Sequence, residues 1–198
     1  MSDYFLIENS ICLRAIHWND RRFFLKWHND PEIRKNIGGL IPFSEAEFKE
    51  ACEMKERVNP PNIWFSICAD GNVVGIAGIH QIKYIQRNAE VSILIGENIY
   101  RNKGFASDAL KVLEKYSFYT LQMHRLYANV FSDNSPIIQV LAKCGWEREG
   151  LLRDAAFWNG KFRNVYIYSK INGSPVSDSE SSECPVGIIV DLSTSSTS

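Results

Sequence analysis

Arg101-Asn102-Lys103-Gly104-Phe105-Ala106-Ser107 is the stretch whose residue types and spacing point most directly to chemistry. It lies between an apolar run, Val91 to Ile95, and an amphipathic stretch that starts near Ala106. A basic, glycine-containing turn that feeds a helix leaves several backbone N–H groups unpaired at the positive end of the helix dipole, which suits a phosphate or pyrophosphate. The spacing is not that of a P-loop, because Gly-x-x-x-x-Gly-Lys-Ser/Thr is absent, nor that of a dinucleotide-binding turn, because Gly-x-Gly-x-x-Gly is absent. No metal-binding acid follows a later strand, which sets phosphoryl transfer aside. What remains is Arg-x-x-Gly-x-Ala. Alone, this pattern is also that of an ordinary helix start, so the surrounding elements have to decide.

A chain of 198 residues makes one domain of ordinary size with a substantial core. Its 45% hydrophobic and 23% charged residues are those of a soluble globular protein, and a formal charge of −1 argues against a nucleic-acid partner. Five scattered cysteines without a Cys-x-x-Cys pair point to a reducing compartment rather than a disulfide frame or zinc site. His17, His28, His80 and His124 show no metal-ligand spacing, so no metal is expected. No apolar run approaches the ~20 residues that span a bilayer, and the first residues lack the pattern of a signal peptide. The expectation is a cytoplasmic protein without a membrane partner, acting as a monomer or homodimer.

Alternation from Ser10 to Ile16 predicts a first strand, and Asp20 opens a helical pattern of Phe23, Phe24 and Trp27 that stops at Asn29-Asp30-Pro31. A short helical segment follows from about Glu32 to Asn36. Ser44 with Glu47 three residues on forms a capping box for a helix to about Arg57. Strands are predicted at Ile63 to Ala69, Val73 to Ile79 and Glu90 to Ile95, the first two joined around Asp70-Gly71-Asn72. After the helix that carries Phe105, Ala109, Val112, Leu113 and Tyr116 come a strand from Arg125 to Phe131 and a helix with Ser135 as its cap, Pro136 first and Gly145 beyond its end. Two last strands, Trp146 to Trp158 and Lys161 to Ile171, turn at Asn159-Gly160. The domain is therefore drawn at residues 1–172, and the Ser-rich segment 173–198 is expected to be a disordered tail.

The order β, α, α, three-strand meander, α, β, α, β-hairpin, together with Arg101, Gly104 and Ala106, resembles the GNAT superfamily of acyl-CoA N-acetyltransferases over about residues 10 to 171. Asn29-Asp30-Pro31-Glu32, Gly75, Asp133-Asn134-Ser135, Lys143-Cys144-Gly145-Trp146 and Glu149-Gly150 point to the branch with ribosomal-protein N-terminal, polyamine and sugar-amine acetyltransferases. The resemblance implies an α/β (α+β) fold: a mixed, mostly antiparallel sheet of six to seven strands, flanked by about four helices, with a splayed central strand pair that admits the pantetheine arm. It also implies acetyl-CoA as co-substrate and a primary amine, on a protein N-terminus, polyamine or amino sugar, as acceptor.

By the same resemblance, Arg101 and the N–H groups of Asn102, Lys103, Gly104, Phe105, Ala106 and Ser107 hold the pyrophosphate, while Asn134 and Lys143 contact the coenzyme's arm and nucleotide end. Glu90 is the candidate base acting through water, and a backbone N–H on Ile93, Leu94 or Ile95 is the oxyanion donor. Glu32, Phe157 with Trp158, and Asn164 fall on the acceptor side. Two positions depart from the family pattern. Leu141 stands where a tyrosine, the thiolate's proton donor, is common, and Asn164 stands where an acidic residue is frequent. A catalytically quiet acyl-CoA-binding module is therefore the alternative.

Overall fold

The computed structural model describes residues 5–8, 10–39, 41–54 and 58–173. The tail assigned to 173–198 and the end of the third helix at 55–57 fall almost wholly outside them. Among the described residues no helix is long and apolar enough to cross a membrane.

Eight strands form one sheet: β1 (Leu6–Glu8), β2 (Ile11–Ala15), β3 (Ile63–Ala69), β4 (Asn72–Lys83), β5 (Asn88–Ile95), β6 (Arg125–Phe131), β7 (Glu147–Trp158) and β8 (Lys161–Ile171), in the order β1-β2-β3-β4-β5-β6-β8-β7. Among the described residues five α-helices accompany them: α1 (Arg21–Asn29), α2 (Pro31–Ile37), α3 (Glu45–Met54), α4 (Phe105–Lys115) and α5 (Ser135–Lys143). The sheet thus has one strand more than the six to seven expected. The addition is β1, three residues long and too short to show a period, which pairs antiparallel with β2 and is tied to α4 by Glu8 and Lys115 at 2.8 Å.

Local chemistry accounts for most boundaries. Asp30 accepts from the Glu32 N–H and Pro31 opens α2, which closes at Gly38 with φ 73°. Ser44 and Glu47 make the expected reciprocal capping box. Asp70 and Gly71, and again Asn159 and Gly160, all have positive φ, as two-residue hairpins with the right-handed sheet twist require. The cap of α5 is Asn134 rather than Ser135, which shifts Pro136 to the second helical position. Proline has no backbone N–H, and neither the first nor the second helical position needs one for the helical ladder, so the sequence could not separate them.

Two cores lie on the two faces of the sheet. The larger joins the sheet to α4 and α5 through Val91, Leu110, Leu113, Leu126 and Leu141. The smaller gathers Phe24, Trp27, Ile33, Phe48 and Ile76 under α1, α2 and α3. Glu114, buried in α4, accepts from Trp146 Nε1 at 2.6 Å and Lys170 Nζ at 2.7 Å, which fixes α4 against β8 and the segment after α5. A buried carboxylate left with one partner would be costly; here both oxygens are used.

On the other face Asp20, 3% exposed, accepts from Nη1 and Nη2 of Arg14 at 2.7 and 2.8 Å, the Ser66 hydroxyl at 2.8 Å and the His17 N–H at 2.9 Å. Burial alone would raise its pKa, but those hydrogen bonds outweigh burial and hold the carboxyl below its ordinary value. Removing one partner strands the other charge, so Asp20→Ala should destabilise the fold by about 3–5 kcal/mol in urea denaturation. The depressed carboxyl pKa stabilises fully above the unfolded value of ~3.9, and this share is lost as pH falls through the folded value. The wild type should therefore lose stability below about pH 4, with a shallower slope in the variant.

Candidate active site

Neighbouring strands pair antiparallel throughout, except β5 and β6. These run parallel and meet only at Asn88 with Arg125, Ala89 with Leu126 and Glu90 with Tyr127. Beyond Glu90, β5 continues along β4 to the pair Ile95 with Gly75, while β6 continues along β8 to Phe131 with Val165. A wedge-shaped gap opens between them. On its β5 side, alternate backbone groups of residues 91–95 have no sheet partner, and Ile93 and Ile95 are only half-buried although they face the larger core. The expected splay is present, and it brings Ile93, Leu94 and Ile95 to the gap.

The turn from Arg101 to Ser107 sits at the wide end of this gap. Gly104 caps α4 with φ 91° and open space where a Cβ would stand, and Asn102 also has positive φ, at 59°. The first bond into the helix is Asp108 N–H to Gly104 C=O at 3.1 Å, so the N–H groups of Phe105, Ala106 and Ser107 precede the helical ladder. The Arg101 side chain takes a different part from the expected one. Its Nε donates to the Ile95 carbonyl and its Nη2 to the Gly96 carbonyl, both at 3.0 Å, which pins the turn to the end of β5. Lys103 lies 5.7 Å above the Tyr100 ring, and its ammonium and the exposed Asn102 remain at the surface of the turn.

The end of β5 is fixed from below as well. A Cβ on Gly96 would lie 2.1 Å from the fully buried Trp27 ring, so only glycine lets α1 pack there. Trp27 Nε1 and Lys26 Nζ donate to Glu97 at 3.0 and 2.7 Å, and the Lys26 hydrogen bond is the main reason that carboxyl's pKa is lowered.

Glu90 occupies the apex of the gap on the face of α1 and α2. Its two oxygens accept from Gln81 Nε2 at 2.8 Å and Asn129 Nδ2 at 3.0 Å. Tyr127 stands opposite in β6, its phenol pKa raised by burial and then by the charge of Glu90, so it keeps its proton through neutral pH. Ser92, two residues on and on the same face, is hydrogen-bonded to His80 at 2.6 Å. A bulge between His80 and Lys83, with Gln81 at φ 48°, turns His80 and Gln81 toward one side. Sequence reasoning missed Gln81, Tyr127, Asn129, His80 and Ser92. In β6 a signal existed, since Arg125, Tyr127 and Asn129 alternate with Leu126, Ala128 and Val130 in a strand that is central rather than at an edge.

The remaining positions divide. Asn134 makes no side-chain cap bond in α5, and Lys143 is exposed in that helix's last turn. Glu32 is exposed and ion-paired with Lys35 inside α2. Trp158 faces α2, with the Arg34 guanidinium 5.6 Å above its ring, whereas Phe157 is on the opposite side of β7, 53% exposed and edge-on to Phe162. Asn164 spends its amide oxygen on the Asp154 N–H at 2.9 Å, where β7 bulges and Asp154 has φ 50°. An acidic side chain there would offer the same acceptor. Leu141 is 2% exposed in the larger core, so α5 offers the gap no phenol at this position.

The residues present fit a phosphorylated acyl carrier: free N–H groups at a glycine-capped helix start, a basic turn, and a strand gap wide enough at its mouth to lose its ladder. The comparisons agree. The family model described as an acetyltransferase (GNAT) domain matches residues 10–147. An uncharacterized N-acetyltransferase, p20, of Bacillus licheniformis is 30% identical over 171 residues, covering 83% of this chain and 94% of that one. The crystal structure of spermidine N-acetyltransferase from Vibrio cholerae in complex with CoA and spermine superposes with a TM-score of 0.75 at 27% identity, covering 83% of this chain and 96% of that one. A dodecameric structure of spermidine N-acetyltransferase from the same organism gives 0.66 at 26% identity, covering 83% and 95%. A strand gap, a glycine-capped helix start and a family match over residues 10–147 lead to one assignment: this chain belongs to the GNAT family of acetyltransferases.

Proposed function

We propose that the protein moves the acetyl group of acetyl-CoA onto a primary amine by direct attack in a ternary complex, with the amine entering on the face of α1 and α2. The observation that supports this most is the parting of β5 from β6 directly after Glu90, which sets a carboxylate beside unpaired backbone donors. Bound acetyl-CoA supplies the thioester. Asn102 to Ser107 hold its pyrophosphate through N–H groups, and Arg101 keeps that turn in place through the Ile95 and Gly96 carbonyls. Asn134 and Lys143 line the coenzyme side. A free N–H on residues 93–95 receives the developing oxyanion. Glu32, Trp158 with Phe157, and Asn164 belong to the acceptor side in this reading.

Glu90 acts as base because of the substrate's own acidity. An amine of pKa ~10.4 is neutral in about one molecule in 2,500 at pH 7, whereas an α-amine near 7.7–8.0 is neutral in roughly one in ten. Gln81 and Asn129 hold the carboxylate in place and leave further lone pairs for a water. With Leu141 buried, the thiolate takes its proton from solvent or from Tyr127; a thiol of pKa ~8.5 leaves acceptably without help. The same leucine favours the second reading, an acyl-CoA-binding module without turnover.

A cytoplasmic location goes with this reading, supported by Cys12, Cys52, Cys68 and Cys144, which form no disulfide. Assembly as a monomer or homodimer is likewise a proposal, and light scattering reads it directly.

Thiol release from acetyl-CoA with polyamines, amino sugars and N-terminal peptides separates enzyme from binding module. Coenzyme binding without acceptor-dependent release across that panel would leave only the module. Arg101→Glu should raise the coenzyme Kd at least about tenfold, or 1.4 kcal/mol, by calorimetry. Unchanged affinity would place the cradle elsewhere. Glu90→Gln should lower kcat far more than it raises KM, with a larger loss for high-pKa amines than for α-amines. An equal loss on both contradicts a base role.

A further inference from the structure

We propose that Ser92, held by His80, orients the acceptor amine for attack; this rests on the acetyl-transfer reading above. Ser92 is exposed in the part of β5 that has left β6, on the face that carries Glu90. Two residues of strand separate the Cα atoms of Ser92 and Glu90 by about 7 Å, room for one amine nitrogen and the water that Glu90 works through.

The pair is built rather than incidental. His80 Nε2 and Ser92 Oγ are 2.6 Å apart, and Trp64 lies against the imidazole with ring centroids 4.4 Å apart. Across the ladder from Ser92 is Gly78, and a Cβ there would come within 2.3 Å of the His80 ring and 3.1 Å of Ser92 Oγ. The sheet thus gives up a side chain to seat this ring. Burial pushes the imidazole's pKa down to about 4, so His80 is neutral at pH 7 and one ring nitrogen accepts hydrogen bonds. We assign that acceptor to Nε2, which takes the Ser92 hydroxyl proton and leaves the Oγ lone pairs facing the gap.

An amine about to attack needs its N–H groups held by acceptors so that its lone pair points at the carbonyl carbon. Ser92 Oγ supplies one acceptor and the water on Glu90 the other. His80 touches neither substrate and acts only through the hydroxyl, which makes it a positioning residue.

Steady-state kinetics with acetyl-CoA and the best amine of the panel test this. Ser92→Ala should lower kcat/KM for the amine about tenfold, with the KM for acetyl-CoA within about twofold. Ser92→Thr keeps the hydroxyl and should recover most of the loss. His80→Phe should match Ser92→Ala, and the double variant should be no worse than either, because both remove one interaction. Should His80→Phe fail to fold, His80→Gln takes its place: it keeps an acceptor and should fall between wild type and Ser92→Ala. An unchanged amine kcat/KM in Ser92→Ala, or additive losses in the double variant, overturns the assignment while leaving acetyl transfer standing. A wild type that releases thiol with no amine removes the acetyl-transfer reading and this role with it.

Discussion

Two parallel strands that pair over three residues and then part are the constraint around which the rest of this molecule is arranged. Unpaired backbone groups in a sheet are costly, and a chain free to relax would close the gap. It stays open because each strand is committed on its other side, β5 to β4 and β6 to β8 over seven pairs. Outside the sheet, the Trp27 ring against Gly96 and the Arg101 guanidinium on two carbonyls fix the end of β5. Glu114, shared by Trp146 and Lys170, sets α4 against β8, so the helix start that faces the gap cannot swing away from it. Hydrogen-bonding capacity that the sheet leaves unused is thereby kept for a ligand.

The two faces of the gap differ in chemistry. Toward α4 lie aliphatic side chains and the N–H groups of the helix start. Toward α1 and α2 lie Glu90, Gln81, Asn129, Tyr127, Ser92 and His80. At the far end of β6, Arg163 stacks on Phe131 with its guanidinium carbon 3.9 Å from the ring centroid and donates to the Lys35 carbonyl and Asp133. Phe131 also meets Gly38, so the β7–β8 hairpin, α2 and the end of β6 are joined at one place. In the proposed reaction a coenzyme and an acceptor approach one thioester from opposite sides of the sheet without sharing a path.

Much of this could be read from the sequence because it rests on local rules. Capping boxes, Pro-Gly punctuation and the hairpin dipeptides placed nearly every element, and Gly104 with Ala106 marked the helix start. What stayed hidden depends on contacts far apart in sequence. That Arg101 would turn inward to two carbonyls follows from where β5 ends, and nothing in the heptapeptide says so. The partners of Glu90 come from β4 and β6, nine and thirty-nine residues away. Ser92 reads as an ordinary strand residue and His80 lies just past the end of the predicted strand, since neither the bulge nor the small residue at Gly78 that seats the ring has a sequence pattern of its own. Phe157 and Trp158 could not be told apart before the hairpin's faces were known.

The bulge at Gln81 has a further consequence, one of heredity rather than chemistry. Side chains on a strand alternate, so adding or deleting one residue at the start of β5, after the turn that leads into it, would turn Glu90 and Ser92 into the core and Ala89 and Val91 out to the cleft. The turn Tyr84 to Arg87 joins two strands at the surface and can absorb changes of length, provided the bulge still sets the register that follows. Descendants of this chain can therefore lengthen that turn while their site persists, but a single-residue insertion a few positions later would abolish it at once.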